Sequence, residues 1–205
     1  TGAFAYSRDT GTFYAWGNGT FLGSGQRVQA VAYATAMSPP PLPDGVVVEQ
    51  IGATSLVGIG MTYYVLGDDG RVYTLGANYR GTAGQGNTTE QLTWTTVKNP
   101  TGTRPLENVA FISAGHSTWS NATVSAVLQD GALLSWGMDN ANQIGIPDGL
   151  YPTEVTLLPT APAWLGGDAK PVYAVNTGGH FTSAIVVGAS GQIAAVGHNP
   201  GGAFG

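Results

Sequence analysis

The sequence predicts an all-β protein built from a repeated unit of four antiparallel strands. A short phrase that ends in glycine occurs four times, at Gly17, Gly76, Gly137 and Gly197, which are 59, 61 and 60 residues apart. Such a fixed period is typical of repeat architectures. The apolar runs are short, rich in β-branched and aromatic residues, and broken by Gly, Asp and Asn, and no segment of helical length has apolar residues spaced by three and four.

The strands of one unit can be placed from these runs. The four copies of the phrase are Tyr14-Ala15-Trp16-Gly17-Asn18, Tyr73-Thr74-Leu75-Gly76-Ala77-Asn78, Leu134-Ser135-Trp136-Gly137-Met138-Asp139-Asn140 and Ala194-Ala195-Val196-Gly197-His198-Asn199. In the third unit we predict strands over 108–114, 123–128, 133–136 and 153–158. Four strands in each unit indicate one sheet in each unit.

The turn between the second and third strands carries the clearest local signal. It reads Asp69-Gly70, Asp130-Gly131 and Ser190-Gly191 in three units, and Asp9-Thr10-Gly11 in the first. A tight hairpin turn needs positive φ angles, which glycine adopts freely and Asp tolerates. The sequence therefore predicts four β-hairpins.

The organisation is that of a single repeat domain over 1–205, with units of about 1–45, 46–105, 106–168 and 169–205. The proline-rich run 38–43 cannot continue a helix or a central strand. The segments 101–105 and 159–167 occupy the same place in later units. Each unit is therefore expected to carry a long loop before the next unit, and such loops are where binding sites usually lie.

The combined pattern resembles the repeat of the regulator of chromosome condensation family, which is a β-propeller. The segments that carry the resemblance are Ala114-Gly115-His116-Ser117, Ala126-Val127-Leu128-Gln129-Asp130-Gly131, Ser135-Trp136-Gly137, Asn142-Gln143-Ile144-Gly145, Gly178-Gly179-His180 and Ala83-Gly84-Gln85-Gly86. The resemblance covers nearly the whole chain and implies four-stranded antiparallel blades.

The family propeller closes with seven blades, whereas this chain holds four hairpins. If a blade runs from the fourth strand of one unit to the third strand of the next, then 28–75, 93–136 and 153–196 give three full blades and 3–16 gives an N-terminal half blade. An open arc leaves apolar end faces and unpaired edge strands that natural proteins cover. Closure into a four-bladed ring, pairing with another copy, and burial against another protein or the rest of a longer polypeptide are the alternatives, and assembly with other chains is favoured.

Composition excludes several function classes. Charged residues make up 9% of the chain and the formal net charge is −5. Seven scattered basic residues form no patch for phosphate, so nucleic acid is not expected as a partner. No apolar stretch approaches the roughly 20 residues that span a bilayer, so membrane insertion is not expected either. The low charge and the many Gly, Thr and Asn residues favour a location outside the cell.

No motif for catalysis or cofactor binding is present. The chain has no cysteine, and nucleophile elbows, phosphate-binding loops and His-Glu-x-x-His are absent. His116 and His180 occupy the same repeat register, where the resemblance implies that the imidazole ties a strand to a loop, and His198 is expected to be solvated. We expect no catalytic residue, no cofactor and no metal.

Aromatic residues give the best indication of a binding surface. Trp16 and Trp136 belong to the strand register and are expected in the core. The candidate contact residues are Tyr79, Arg80, Trp119 and Asn121, because Tyr, Trp and Arg dominate the energetics of protein interfaces. The alternative is that these aromatics only cover the base of a loop.

The favoured function is a non-enzymatic structural or recognition protein of a secreted, filament or virion surface, with copies of itself or a larger assembly as partners. One alternative is a receptor- or glycan-binding adhesin that uses aromatic platforms. The other follows from the resemblance, since the family's namesake is a guanine-nucleotide exchange factor for a small GTPase and docks on chromatin. This alternative is guanine-nucleotide exchange or another propeller signalling scaffold.

Overall fold

The computed structural model describes residues 2–28, 30–56, 58–115, 122–139, 144, 155–162, 172–177, 182–188, 191 and 193–197. Over these residues the protein is all-β, with antiparallel sheets and no helix. The predicted fold class is therefore confirmed. Among the described residues there is no helix of the length and apolarity that crossing a membrane requires.

Four sheets follow one another along the chain. The first contains β1 (Gly2–Ser7), β2 (Thr12–Asn18) and β3 (Ala30–Ala36). The second contains β4 (Val48–Leu56), β5 (Gly60–Gly67), β6 (Val72–Gly76) and β7 (Gln91–Thr96). The third contains β8 (Val109–Ala114), β9 (Thr123–Leu128), β10 (Leu133–Met138) and β11 (Val155–Thr160). The fourth contains β12 (Val172–Thr177), β13 (Thr182–Gly188) and β14 (Ile193–Gly197).

Each sheet is a simple meander in which strands pair in chain order. The expected division into three full blades and a half blade is wrong, because the fourth strand of a unit stays in its own sheet. β7 pairs with β6 through Tyr73 and Thr96, and β11 pairs with β10 through Met138 and Val155. A loop that reverses the chain returns the fourth strand to the third. The described strands thus form two four-stranded and two three-stranded sheets.

The four predicted hairpins are confirmed by antiparallel pairing of β1 with β2, β5 with β6, β9 with β10 and β13 with β14. In the second and third sheets the turn is stabilised by its aspartate. Asp69 Oδ1 accepts a hydrogen bond from the Arg71 amide at 3.1 Å, and Asp130 Oδ1 accepts one from the Ala132 amide at 2.9 Å. The side chain thus holds the chain in the reversal that the following glycine completes.

These hairpin turns also connect one sheet to the next. The amide of Val109, at the start of β8, donates to the Gly70 carbonyl at 3.0 Å. The amide of Val172, at the start of β12, donates to the Gly131 carbonyl at 2.8 Å. The same backbone bond therefore joins the second sheet to the third and the third to the fourth.

The repeated glycine marks a bulge near the end of the third strand. Gly76 and Gly137 have φ angles of 119° and 102°. A Cβ atom would lie 2.2 Å from the Met61 carbonyl oxygen at Gly76 and 2.5 Å from the Ala122 carbonyl oxygen at Gly137. Only glycine combines this backbone conformation with such a close approach.

The core lies between sheets. One cluster joins the first and second sheets and is mainly aromatic, with Phe13, Tyr63 and Trp94 among its members. A second cluster joins the second and third sheets and contains Tyr64 and Trp136. The first strands of successive sheets also lie against one another, β4 against β8 and β8 against β12, and β1 contacts β4.

The two repeat tryptophans differ in burial. Trp136 is fully buried, whereas Trp16 is only half-buried, so the expectation that Trp16 is a core residue is wrong. Cross-strand pairing places Trp16 opposite Ala3, on the face of the first sheet that points away from Phe4 and Phe13.

Candidate functional site

The loop that joins β6 to β7, residues 77–90, carries two of the predicted contact residues and is called the Tyr79 loop here. It begins after the bulge at Gly76, and it has positive φ angles at Gly81, Gly84 and Gly86. Such glycines let the chain reverse direction several times within a short distance. The loop is therefore compact.

Asn78 holds the Tyr79 loop from inside. Its buried side-chain oxygen accepts a hydrogen bond from the Ala83 amide at 2.8 Å, and its side-chain nitrogen donates to the carbonyls of Asn87 and Thr89 at 2.9 and 3.0 Å. Asp139 occupies the same register in the third unit, where its Oδ1 accepts from the Ile144 amide at 2.6 Å. In the second and third units, the polar residue two positions after the bulge glycine therefore organises the loop that follows.

Thr82 connects the Tyr79 loop to two sheets. Its carbonyl oxygen accepts hydrogen bonds from the Tyr64 hydroxyl at 2.7 Å and from the Trp136 indole Nε1 at 2.8 Å. The hydroxyls of Thr82 and Thr62 are 3.0 Å apart, and all of these groups are buried. Because Tyr64 lies in the second sheet and Trp136 in the third, the loop is fixed across the boundary between them.

The far side of the Tyr79 loop packs against β11. The Gly86 amide donates to the Leu157 carbonyl at 2.9 Å, and a Cβ atom at Gly81 would lie 2.8 Å from Leu157 Cδ2. There is thus no room for a side chain at Gly81. The two residues that precede Gly81, Tyr79 and Arg80, are therefore held on a rigid base.

Tyr79 is exposed and Arg80 beside it is half-buried. Tyr79 is 51% exposed, and the guanidinium carbon of Arg80 lies 4.4 Å from the centroid of its ring. The Nε atom of Arg80 is buried and has no hydrogen-bond partner among the described residues. The Tyr79 ring thus orients the Arg80 guanidinium through a cation–π contact.

Two of the other four arginines are paired with carboxylates. Arg27 lies 3.4 Å from Glu90, and Arg71 lies 3.0 Å from Glu107 and 3.7 Å from Asp69. The hydrogen bond to Glu107 raises the pKa of Arg71. Within the part of the chain that the structure describes, Arg80 forms no such ion pair.

Burial controls the ionisation of the tyrosines beneath the loop. Tyr64 is completely enclosed, and this desolvation raises its pKa well above the ordinary value of 10.0, although hydrogen bonds with Thr62 and Thr82 act in the opposite direction. Desolvation likewise raises the pKa of Tyr63. Both hydroxyls therefore stay protonated and serve as structural groups.

The remaining predicted site residues are only partly accounted for. Trp119, Asn121, His116, His180 and His198 lie outside the described residues, so their roles stay predictions. Gly115 and Ala122 flank the segment that contains Trp119 and Asn121, and this segment joins β8 to β9.

Sequence reasoning missed two residues that connect neighbouring sheets by hydrogen bonds, Thr82 and Gln50. Thr82 was not singled out, because a threonine among glycines gives no signal of its own. Gln50 was also missed, although an amide within the apolar strand β4 is a polar group that needs a partner. Over the described ranges, no group of three or more His, Cys, Asp or Glu residues is placed to hold a metal ion.

The fold and its repeat place the chain in the class of β-propeller-type repeat proteins. Solved structures with the same fold support this. The crystal structure of Prp20p from Saccharomyces cerevisiae matches with a TM-score of 0.67 and 16% identity, over 96% of this chain and 41% of that one. Human WBSCR16 matches with a TM-score of 0.66 and 20% identity, over 91% and 42%. Yeast RCC1 (Prp20) bound to Kap60 matches with a TM-score of 0.68 and 18% identity, over 96% and 41%.

A relative is also found by sequence. Protein pim1 of Schizosaccharomyces pombe is 32% identical over 152 residues, which are 71% of this chain and 25% of that protein. No family model matches the chain. The predicted resemblance is confirmed: the repeat is that of the RCC1-like β-propeller family. The chain spans a quarter of pim1 and about two fifths of the solved chains.

These relatives overturn the favoured function. Prp20p was studied for its binding to Gsp1p and histones, and it was also solved with Kap60. The prediction of a structural protein of a secreted, filament or virion surface is therefore wrong. Histones are chromatin proteins, so the predicted extracellular or virion-surface location is wrong as well. Low charge misled both predictions because it describes the solvated surface and not the compartment.

The predicted partners also need correction. The partners named with Prp20p are Gsp1p, histones and Kap60. All of these are proteins, and none is a second copy of Prp20p. The predictions that the chain binds copies of itself and that it binds a glycan or a receptor are therefore wrong. The relatives are described by the proteins that they bind and not by a chemical reaction.

Proposed function

We propose that this chain is part of a propeller signalling scaffold that binds a small GTPase and promotes guanine-nucleotide exchange. The proposal is supported chiefly by the likeness to Prp20p, whose binding to Gsp1p has been studied, at a TM-score of 0.67 over 96% of this chain. In this proposal the chain has no catalytic residue, cofactor or metal of its own. It acts by binding, and the chemistry of exchange belongs to the GTPase.

The Tyr79 loop is the proposed contact. Tyr and Arg are enriched among residues that dominate interface energies, particularly where they are pre-ordered. Arg80 is held over the Tyr79 ring and is free of a carboxylate partner among the described residues. Its guanidinium therefore suits an acidic side chain on the partner. Trp119 and Asn121 are proposed to extend the same surface.

Release of a fluorescent guanine nucleotide from Gsp1p tests the exchange function. We expect the chain to accelerate release, and we expect Arg80→Ala to lose most of that acceleration. A hot-spot truncation costs about 2 kcal/mol or more, which corresponds to a factor of roughly 30 in affinity. Binding of immobilised Gsp1p, measured in parallel, distinguishes an exchange factor from a scaffold that binds without exchange.

Arg104→Ala is the matched control. Arg104 is an exposed arginine on the connection between β7 and β8, outside the Tyr79 loop. Its removal changes the net charge as much as Arg80→Ala does. Equal losses for the two variants would attribute the effect to overall charge. If the unmodified chain neither binds Gsp1p nor promotes exchange, the proposal is refuted.

A further inference from the structure

The connection from β3 to β4 contains a run of prolines that the proposed function does not use. Four of the five residues in 39–43 are proline, and this run is called the proline ridge here. Exposed and enclosed residues alternate along it. The exposed residues are Pro39, Pro41 and Pro43. Between them, Pro40 is buried and Leu42 packs against the aromatic cluster that joins the first and second sheets. Three rigid apolar rings therefore reach the solvent from one short segment.

The proline ridge is fixed to the sheets at both ends. Before the ridge, the Ser38 carbonyl accepts a hydrogen bond from the Trp94 indole Nε1 at 2.7 Å. After the ridge, the Val47 amide donates to Asp68 Oδ1 at 3.0 Å, and the Asp68 amide donates to the Val47 carbonyl at 3.0 Å. The exposed rings are thus held in a defined position on the protein surface.

The backbone of the ridge is turned and bonded internally. The Leu42 amide donates to the Pro40 carbonyl at 2.8 Å, which closes a three-residue turn at Pro41. The Val46 amide donates to the Pro43 carbonyl at 3.1 Å. Because a regular polyproline II helix has no internal hydrogen bonds, the ridge presents its prolines at a fixed turn instead. Since these amides already have partners, another protein would recognise the ridge through its side chains and not by adding a strand.

The next connection in the chain shows that the fold does not require this run of prolines. Both connections begin alike, with the Met37 amide bound to a β2 carbonyl at 2.9 Å and the Val97 amide bound to a β6 carbonyl at 2.8 Å. The connection from β7 to β8 is then shaped by Asn99, whose Oδ1 accepts from the Thr103 amide at 3.0 Å. A polar side chain is therefore sufficient to shape such a connection. The exposed proline rings are left for another role.

The charge around the ridge is acidic. Asp44, Glu49 and Asp68 are exposed. No Lys or Arg occurs between positions 28 and 70, and Arg71, the next basic residue in the sequence, already forms ion pairs with carboxylates. A partner that covers the ridge therefore gains from basic side chains at the edge of its contact surface.

We infer that the proline ridge is a docking site for a protein domain whose groove is lined by aromatic rings and flanked by basic residues. Proline-rich segments are recognised by aromatic-lined grooves, and a pre-ordered ligand loses little conformational entropy on binding. The three exposed proline rings supply the apolar contact, and Asp44 pairs with a basic residue beside the groove. This docking is separate from the Tyr79 loop and does not depend on the exchange function.

Purified SH3, WW and EVH1 domains with Lys or Arg beside the groove are the probes, because all three classes have aromatic-lined grooves. We expect at least one of them to bind the intact chain, to shift the amide resonances of Val46 and Val47, and to slow hydrogen exchange of the Leu42 amide. Faster exchange at Leu42 in the complex would mean that the segment is bound only after its release from the fold, and this would overturn the inference.

Pro41→Ala and Asp44→Lys are each expected to weaken binding of that domain about tenfold, the first by removing a ring and the second by reversing a charge. The matched controls are Pro100→Ala, at an exposed proline on the next connection, and Asp9→Lys, at an exposed acid of the first hairpin turn, and both should bind normally. If Pro41→Ala disturbs the turn, Asp44→Lys still tests the docking surface. Binding by none of the domains, equal effects of a variant and its control, or shifts confined to other segments would each contradict the inference.

Discussion

The carbonyl of Thr82 accepts hydrogen bonds from two side chains that come from different sheets. Tyr64 and Trp136 each bury a large ring in the second cluster and each end in a polar group that needs a partner. Both polar groups find it in one backbone atom of the Tyr79 loop. The position of this loop is therefore determined by packing of the core.

Tyr64→Phe tests this arrangement. We expect the free energy of unfolding to fall by about 1 kcal/mol, because one buried hydrogen bond is lost. The Thr82 carbonyl still accepts the hydrogen bond from the Trp136 indole. The variant should also be less sensitive to alkali. Burial raises the pKa of Tyr64 in the folded state, so its contribution to stability is present below pH 10 and is lost as the pH rises above it.

Thermal unfolding between pH 8 and 11 measures both effects. Tyr33→Phe, at a ring that is 83% exposed, is the control and should leave the pH dependence unchanged. Some alkaline loss should persist in Tyr64→Phe, because burial also raises the pKa of Tyr63. An unchanged slope in Tyr64→Phe would contradict the prediction.

At the scale of single strands, one side chain replaces a strand partner. Among the described strands β8 pairs only with β9, and on its other side the Gln50 side-chain amide binds the Ile112 amide and carbonyl as a peptide group would. Buried backbone groups are nearly always paired, and pairing by a side chain is one of the ways in which this is achieved. β4 and β8 are thereby joined although they belong to different sheets.

Gln50→Leu removes both bonds and keeps the size of the side chain. We expect a loss of about 1–3 kcal/mol in the free energy of unfolding, because two backbone groups of Ile112 are left without partners. Hydrogen exchange should become faster at the Ile112 amide in particular. Gln26→Leu, at an exposed position, is the control, and equal effects of the two substitutions would contradict the role of Gln50.

At the scale of the whole molecule, the sheets are connected in series. One cluster joins the first sheet to the second, and a separate cluster joins the second to the third. Stability in such repeat arrangements is approximately a sum of unit and nearest-neighbour contributions. A defect in one cluster should therefore affect the two sheets that it joins more than the others.

Phe13→Ala is expected to cost about 3–5 kcal/mol within the first cluster. The ring of Phe13 is buried and lies 4.5 Å from that of Tyr6 and 6.2 Å from that of Trp94, measured between centroids. Native-state hydrogen exchange should show that β1–β3 open first while amides of β9 and β10 stay protected. Val124→Ala, in the second cluster, should show the reverse order, and uniform loss of protection in either variant would contradict the serial arrangement.

The sequence was sufficient for the fold class because the signals were local. The Asp-Gly turns and the glycine at each bulge depend on backbone conformation that few other residues adopt, so the hairpins could be read directly. The pairing of the fourth strand was predicted wrongly, because no residue pattern in 91–96 indicates whether this strand pairs with its own sheet or with the next one. That choice depends on the loop before it, where Asn78 and Thr82 form contacts that only the folded chain brings together.

The candidate site was predictable only in part. Tyr79 and Arg80 were identified as non-repeating interface residue types, but their cation–π contact and the anchoring of the loop depend on neighbours distant in sequence. The functional class was predicted wrongly from composition. A charge-poor surface limits which partners bind by electrostatics, yet it says nothing about the partners that a repeat family has acquired.

The backbone bonds from Val109 to Gly70 and from Val172 to Gly131 restrict how such a chain can vary over evolution. Because each hairpin tip is fastened to the strand that opens the following unit, adding a residue at that tip would shift every later unit relative to the earlier ones. The segments that separate first from second strands do differ in length, with 57–59 between β4 and β5 and 115–122 between β8 and β9. The near-constant repeat period is thus a mechanical requirement of the way in which each unit is joined to the next.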